Sequence, residues 1–385
     1  MLSVKAIINR YMDFIGYERT FGLVLSNIIL MLIIYWGLAK ARFYPFIIDS
    51  KFKKNISIFC IFVFFVFAFW GADWFHVAVF YPQLLMGNKT HMEDIYVWIA
   101  QNLAPNYLVF RVLVWGTCLL LVKLIFGRLD IQRDLLWLMF AVFGCVWCSY
   151  ARVSLSMCLM YFALSVFYKP YKSKFLSYII CISALVTSYF CHKTALFGIA
   201  IVVMTMLTRK FNRLTIILLF VSLLIFFIII KDMLSNYLFI DTVGADDVWD
   251  KSVVSAQGYM ERETDIVGIG ALTLKILERM AYIITAFLAM MTIIKKENIY
   301  MSPVVDAFSR LDIIMVVASS FFLFDLGVNT SIIVERFFRF LFIPTSILIA
   351  YFWQRQYKMK WTKMCYMLGV LYSSYSLLYS IYMFI

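Results

Sequence analysis

Long apolar runs alternate with short polar segments along the whole chain of 385 residues. A helix that spans a bilayer needs about 20 apolar residues, with a range of roughly 17–25. Twelve runs meet or approach that length, and the fourth and fifth are separated only by Arg152: 21–39, 56–72, 107–126, 135–151, 153–167, 175–190, 195–207, 214–230, 271–294, 307–324, 337–352 and 361–385. The pattern predicts an all-α polytopic integral membrane protein. We expect one transmembrane domain over residues 1–385, with about twelve transmembrane helices in a range of roughly 10–13.

The composition agrees with this pattern. Hydrophobic residues make up 64% of the chain and charged residues 15%, whereas soluble domains hold roughly 45–50% apolar residues. A net charge of +13 would favour nucleic acid as the partner of a soluble protein. In a membrane protein, the lysines and arginines of cytoplasmic loops face anionic lipid headgroups instead. Membrane lipid is therefore an expected partner, and nucleic acid is not.

Basic residues are concentrated in alternate loops. Six segments hold 21 of the 35 lysines and arginines and few acidic residues: 40–54, 123–133, 169–174, 209–213, 295–310 and 355–363. By the positive-inside rule these segments are cytoplasmic, which places the intervening loops outside. Two outer segments are long, the aromatic-rich 73–106 and the acidic 231–270, which is the largest. Neither is long enough to bury a core of its own.

Four arginines fall at the outer ends of predicted helices: Arg111, Arg152, Arg336 and Arg339. An arginine within a bilayer costs roughly 2.5–3.5 kcal/mol on insertion scales and therefore indicates function. An arginine at a helix end commonly extends to the interface, and Arg111 fits that interpretation equally well. Apolar residues flank Arg152 closely on both sides. Arg336 and Arg339 are three residues apart and share a helix face, with Glu335 as a competing partner.

These arginines suit an anionic group that is carried by a lipid. Guanidinium groups neutralise phosphate oxygens, and two or three of them can stabilise a diphosphate leaving group without a metal. Transfer to a hydroxyl group also needs a general base. Three outer residues are candidates: Asp73, Glu93 and His192. Their spacing does not choose among them, and each has an ordinary alternative as a helix cap or an interfacial group.

A different chemistry is suggested by Asp246, Asp247 and Asp250, which form a D-D-x-x-D sequence in the largest outer segment. This spacing can hold magnesium against isoprenoid diphosphates, but membrane prenyltransferases need two acidic clusters. We find one such cluster, in an acidic loop that a solvated surface explains. The sequence therefore predicts neither a metal site nor a cofactor.

Two short motifs resemble a paired signature of the EpsG family of bacterial membrane proteins. Arg152 begins a helix with small residues, and segment 190–195, which contains His192, follows about forty residues later. The pair is similar to the family's arginine helix and its later F-H-x-[ST]-A turn. Cys191 departs from that turn, because it separates the aromatic residue from the histidine.

Three further segments resemble the same family in the same order. Residues 71–74 are similar to its G-x-D-aromatic element, and Glu93 with Tyr96 is similar to its E-P-x-Y element, although Asp94 replaces the proline. Segment 335–340 resembles its late R-x-x-x-Y/F element. The similarity to the family covers roughly residues 20–355.

The resemblance implies a Wzy-type polymerase of bacterial surface polysaccharide, such as O-antigen, capsule or exopolysaccharide. Such an enzyme is a glycosyltransferase of the cytoplasmic (inner) membrane with a glycosyltransferase-C-like helical architecture and an outward-facing active site. It transfers a growing glycan from undecaprenyl pyrophosphate to a lipid-linked repeat unit, without a nucleotide or a metal. A flippase and a chain-length regulator are candidate partners. Two alternatives stay open, a polysaccharide ligase and a lipid-linked oligosaccharide flippase or transporter, and a transporter predicts charges at mid-membrane.

Overall fold

The computed structural model describes residues 19–42, 51–67, 81–82, 84–86, 93–144, 151–192, 195–208, 269–323 and 340–384. Within these ranges the protein is all-α and contains no strand. The helices are α1 (Arg19–Arg42), α2 (Lys51–Phe67), α3 (Asp94–Asn102), α4 (Tyr107–Phe126), α5 (Arg133–Gly144), α6 (Ala151–Tyr168), α7 (Lys174–Cys191), α8 (Ala195–Leu207), α9 (Ile269–Ile294), α10 (Pro303–Leu323), α11 (Phe342–Gln354) and α12 (Met359–Phe384). The predicted all-α class is confirmed for this part of the chain.

Eleven of the twelve predicted runs overlap one of these helices. The bounds of α4 and α8 are those predicted, Tyr107–Phe126 and Ala195–Leu207. α3 is an additional short helix within the predicted outer segment 73–106. The predicted run 214–230, and all but the last two residues of segment 231–270, lie outside the described residues.

Polar side chains fix where two of the helices begin. The Asn106 side-chain oxygen accepts a hydrogen bond from the Val109 N–H at 3.0 Å at the start of α4. The Ser173 hydroxyl accepts one from the Leu176 N–H at 3.3 Å at the start of α7. Each cap satisfies one of the N–H groups that a helix leaves free in its first turn. For this reason α4 and α7 begin within one residue of the predicted positions.

Small residues allow some of the helices to approach each other closely. A methyl group added at Gly369 of α12 would lie 2.5 Å from the Phe143 ring of α5 and 2.9 Å from Val142. One added at Gly198 of α8 would lie 2.8 Å from the Met160 side chain of α6. Close backbone approach at small residues is typical of helix packing within a bilayer.

We expect Gly369→Ala to lower the thermal unfolding temperature of the detergent-solubilised protein. The new methyl group overlaps the Phe143 ring, and overpacking of this kind costs about 1–3 kcal/mol. Gly116, inside α4, provides the matched control, because the nearest atom to a methyl group there is Phe62 Cε2 at 3.9 Å. Alanine favours a helix over glycine by about 1 kcal/mol, so Gly116→Ala should not destabilise the protein. Equal unfolding temperatures for the two variants would contradict the close packing of α5 and α12.

Apolar side chains cover the outward face of α7. Of its residues, 28% are buried, and the exposed ones include Phe175, Ile182 and Phe190. An apolar helix in a soluble protein would bury such a face in the core. Two helices of the described part, α4 and α7, are long and apolar enough to cross a membrane. The exposed face of α7 is suited to contact with lipid tails.

Several of the basic segments meet at one end of the helix bundle. Arg128, just after α4, donates to the Lys169 carbonyl, and Lys169 Nζ donates to the Arg128 carbonyl at 3.1 Å. The Arg128 guanidinium also lies 4.4 Å from the centre of the Tyr171 ring. The Gln132 N–H donates to the Gln354 side-chain oxygen at 2.7 Å, which adds the end of α11. We call this region the basic end.

Two further contacts extend the basic end. Arg310 Nη1 in α10 donates to the Thr208 carbonyl, after α8, at 2.7 Å. Between α11 and α12, the Tyr357 hydroxyl faces Glu297, and burial together with this carboxylate raises the pKa of Tyr357 to about 12. These contacts therefore connect four of the basic segments, either directly or through a shared neighbour: 123–133, 169–174, 295–310 and 355–363.

Candidate functional site

The opposite end of the bundle, which we call the polar end, gathers Glu93, Tyr96, Arg111, Cys191 and His192, together with the first turn of α6. The directions of the helices show that these residues lie at the same end. α4 is 20 residues long and ends next to Arg128, so its start lies about 30 Å from the basic end. Arg111 lies in the second turn of α4 and is therefore far from the basic end. α6 ends beside Lys169 and α7 begins nearby, so the start of α6 and the end of α7 also lie at the polar end.

Glu93 and Tyr96 lie at the start of α3, against the last residue of α7. Tyr96 is fully buried, and its hydroxyl is within reach of the Cys191 thiol. The Glu93 carboxylate is half-buried and close enough to Cys191 to interact with it electrostatically. The Tyr96 ring meets Phe110 edge-on, with 5.9 Å between the ring centres, which ties α3 to α4. The fold therefore brings Glu93 close to the residue that precedes His192.

Two serines fix the register between α6 and α7. The hydroxyl oxygens of Ser156 and Ser188 are 2.9 Å apart, and the Ser188 hydroxyl also lies 3.0 Å from the Ser156 carbonyl. The two helices are antiparallel, so four residues further toward the polar end the backbone of Arg152 is level with that of His192. His192 ends α7 in an extended conformation, and its N–H donates to the Ser188 carbonyl at 3.2 Å. Its carbonyl accepts from the Ala195 N–H at 2.9 Å, which closes the turn into α8.

Some predicted site residues lie outside the described part of the chain: Asp73, Arg336, Arg339 and the acidic sequence 246–250. Arg152 is described in its backbone only, as the second residue of α6. The residue after Arg339, Phe340, is described and fully buried, and its carbonyl accepts a hydrogen bond from the Tyr161 hydroxyl of α6. The chain that follows the two late arginines thus contacts the same helix that carries Arg152.

Arg111 is buried inside the bundle, which is a different position from the interfacial one that the sequence left open. Its exposed fraction is 0%. Nε donates to the Val66 carbonyl at 2.7 Å, and Nη2 donates to the Phe65 carbonyl. Both carbonyls belong to the last described turn of α2. Arg111 therefore holds the end of α2 against α4, and its predicted contact with pyrophosphate stays a prediction.

Replacing Arg111 with leucine is expected to lower the thermal unfolding temperature. The change removes both hydrogen bonds from Arg111 to the Val66 and Phe65 carbonyls, and a hydrogen bond from a charged group contributes about 1.5–3 kcal/mol. Arg133→Leu is the control, because Arg133 is exposed at the start of α5. An Arg111→Leu protein as stable as the Arg133→Leu protein would contradict the structural role.

Tyr81 fastens the segment before α3 to the polar end. Its hydroxyl donates to the Ala104 carbonyl at 2.6 Å, and its ring lies 5.5 Å from that of Tyr107. Burial, and to a smaller extent the neighbouring Tyr107, raises the pKa of Tyr81 above its usual range. The hydroxyl therefore stays protonated and holds the connection between α3 and α4 in place.

Asp312 is a candidate residue that sequence reasoning missed. It is fully buried in α10, and its Oδ1 accepts a hydrogen bond from the Thr345 hydroxyl of α11 at 3.2 Å. The signal was available, since Asp312 is an acidic residue inside the apolar run 307–324. Polar residues at the ends of the runs stand out in the sequence, whereas a single carboxyl group inside a run does not.

The described residues offer no group of three or more histidine, cysteine, aspartate or glutamate side chains that could hold a metal ion. The acidic sequence 246–250 lies beyond the described ranges. A site that works without a metal stays a prediction.

Comparisons with known proteins found no matching family model, no matching curated protein and no matching solved structure. Function has to be inferred from the residues of the polar end and from their geometry. The resemblance of short motifs to the EpsG family accordingly stays an expectation.

Proposed function

We propose that the protein spans the bacterial cytoplasmic membrane about twelve times, with the polar end facing the exterior. Support comes from the helices in eleven of the apolar runs and from the apolar outward face of α7. The basic segments, joined at one end, support the orientation, because positively charged loops remain on the cytoplasmic side.

We infer that the protein is a polymerase of surface polysaccharide. It would take a growing glycan from undecaprenyl pyrophosphate and transfer it to a lipid-linked repeat unit. The observation that carries this proposal is that the backbone of Arg152 lies at the same height in the bundle as the backbone of His192. Glu93 lies close to the same turn. In the proposed topology these residues lie near the membrane surface, where the diphosphate of a lipid-linked donor also lies. The polar end would then offer an arginine to the pyrophosphate and two candidate bases to the acceptor.

The proposed reaction is a substitution at the sugar carbon of the donor. The bond from this carbon to the pyrophosphate oxygen breaks, and undecaprenyl pyrophosphate leaves with the electron pair. A new bond forms to the acceptor hydroxyl oxygen, whose proton passes to Glu93, His192 or Asp73. Arg152, with Arg336 and Arg339, would stabilise the negative charge that develops on the leaving group. This scheme uses neither a nucleotide nor a metal.

An aromatic side chain on α3 is available for contact with sugar. Trp98 is 55% exposed, although its neighbour Val97 is buried. Aromatic rings pack against the apolar faces of sugars, and an exposed tryptophan on a short outer helix suits that contact. We propose that α3 forms part of the wall of the glycan site.

A lipid-linked oligosaccharide transporter is the second candidate, and Asp312 is the observation that favours it. A transporter predicts charged groups near the middle of the membrane, and Asp312 is buried within α10. The active-site proposal keeps priority, because Glu93, Arg111 and His192 gather at the polar end.

Deletion of the gene in its native host separates the candidates. Loss of a polymerase leaves single repeat units on the lipid at the outer face. Loss of a ligase leaves long unattached chains, and loss of a transporter leaves single units on the inner face. The proposed function requires the first result, and either of the other two would contradict it.

A further inference from the structure

A carboxyl group lies deep inside the helix bundle, away from the polar end and the basic end. Asp312 is nine residues beyond the start of α10 at Pro303, or about 14 Å along the helix. Its exposed fraction is 0%, as is that of Thr345, which donates to Oδ1. Acidic residues in the interior of a transmembrane domain are rare and commonly belong to proton pathways or substrate sites.

Two oxygen atoms at this position have no hydrogen-bond partner among the described residues, Asp312 Oδ2 and Ser309 Oγ. Both residues are fully buried. They are three positions apart in α10 and so lie on one helix face, with about 5–6 Å between their Cβ atoms. Buried polar atoms are nearly always paired, so a carboxyl oxygen that receives no hydrogen bond is the one suited to carry a proton.

The described side chains of neighbouring helices that interact with this carboxyl group are uncharged. Tyr161 of α6 and Cys365 of α12 are close enough to interact with it electrostatically, and Cys158 lies next to Tyr161. Thr285 of α9 contacts Cys365 and donates its hydroxyl proton to its own helix. Each of these groups is neutral at ordinary pH.

Arg310 is the cationic residue nearest to Asp312 in the sequence, and its hydrogen bonds go to other groups. Arg310 Nε donates to Asp306 at 2.8 Å, and Arg310 Nη1 donates to the Thr208 carbonyl. Asp312 itself forms no ion pair with any residue in the described ranges. An ionised carboxylate that loses its hydration without a cation is very costly, so these surroundings favour the neutral acid.

We propose that Asp312 is a proton-binding site inside the bundle, with the proton carried on Oδ2. Oδ1 is already engaged by Thr345, which leaves Oδ2 to carry the proton. The proton is the ligand that the unpartnered Oδ2 takes up and releases. No redox or covalent step is involved.

Proton release would change the contact between α10 and α11. It would leave a negative charge beside the first turn of α11, where a helix attracts negative charge. α11 begins two residues after Phe340, which follows Arg339 in the chain. Proton release at Asp312 would therefore act on the first turn of α11.

Infrared spectroscopy on the purified full chain in lipid tests the proton site. At neutral pH we expect the band of a protonated carboxylic acid, which moves when aspartate carries an isotope label on its carboxyl carbon. The band should also move in heavy water, because the proton exchanges, and it should disappear reversibly in alkaline buffer. Asp312→Asn should abolish the band. The isotope label assigns it to aspartate in the wild-type protein even if this variant does not fold.

Asp306→Asn is the matched control, because Asp306 lies in the same helix and pairs with Arg310 at 2.8 Å. This variant should keep the band. The proposal is overturned if wild-type protein shows no aspartic acid band at neutral pH or if the band persists in Asp312→Asn. It is equally overturned if the band is unaffected by heavy water and by alkaline buffer. None of these results depends on glycan elongation, so the proton site and the proposed function can fail separately.

Discussion

Replacing Arg152 with alanine or lysine is expected to abolish glycan elongation while the protein remains inserted in the membrane. Lysine keeps the positive charge but lacks the planar pair of donors that grips two phosphate oxygens. Arginines that stabilise phosphate in transfer reactions commonly contribute roughly 10³–10⁵-fold to the rate, and we expect a loss of that order. The measurement is the length distribution of surface polysaccharide in cells that carry each variant, together with the amount of protein in the membrane fraction.

Arg133→Ala is the control for this loss. Arg133 is exposed at the basic end, where α5 begins, so its removal changes the charge of the protein without touching the polar end. We expect polysaccharide of normal length from this variant. Polysaccharide of normal length from the Arg152 variants would exclude Arg152 from the pyrophosphate site.

The second large effect is expected when the general base is replaced. This base is the residue that takes the proton from the acceptor hydroxyl. A general base typically contributes roughly 10²–10⁴-fold, so either Glu93→Gln or His192→Ala should reduce elongation by that factor while the other has a smaller effect. Glu93 is half-buried near Cys191, and His192 is half-buried at the end of α7. The measurement is the elongation rate of purified variants on lipid-linked repeat units as a function of pH. The rate should fall at low pH, where the base becomes protonated.

Glu297→Gln serves as the control for removal of a carboxylate, because Glu297 lies at the basic end beside Tyr357. Its elongation rate should equal that of the wild-type protein. If both Glu93→Gln and His192→Ala elongate normally, neither residue is the base. Asp73 would then be the remaining candidate.

The helices could be predicted from the sequence, since each apolar run had to form a structure that satisfies its own backbone. Where a polar cap stands at the end of a run, as Asn106 does before α4, the boundary was also correct. Other boundaries were not. α2 begins at Lys51 rather than at residue 56, because its lysines continue the helix beyond the apolar run. Phe340 and Leu341 form a turn and α11 begins at Phe342, while the predicted start at 337 lies outside the described residues.

The site was predicted less completely than the helices. The order of the motifs could indicate that Glu93 and His192 lie on one side, and the contacts of Cys191 now bring Glu93 close to that turn. Sequence reasoning could not tell that Arg111 turns inward to the end of α2, because that depends on the packing of α2 against α4. Asp312 was not predicted as a site residue, because a single acidic residue hardly changes the average hydropathy of a long apolar run.

Reconstitution of the purified protein tests the proposed polymerase without the rest of the cell. The protein in lipid vesicles would receive undecaprenyl-pyrophosphate-linked repeat units, with no nucleotide sugar and with a chelator present. We expect glycans of two or more repeat units that remain attached to the lipid, and none from Arg152→Ala. Single units that stay unextended, or that only move across the bilayer, would contradict the proposed function.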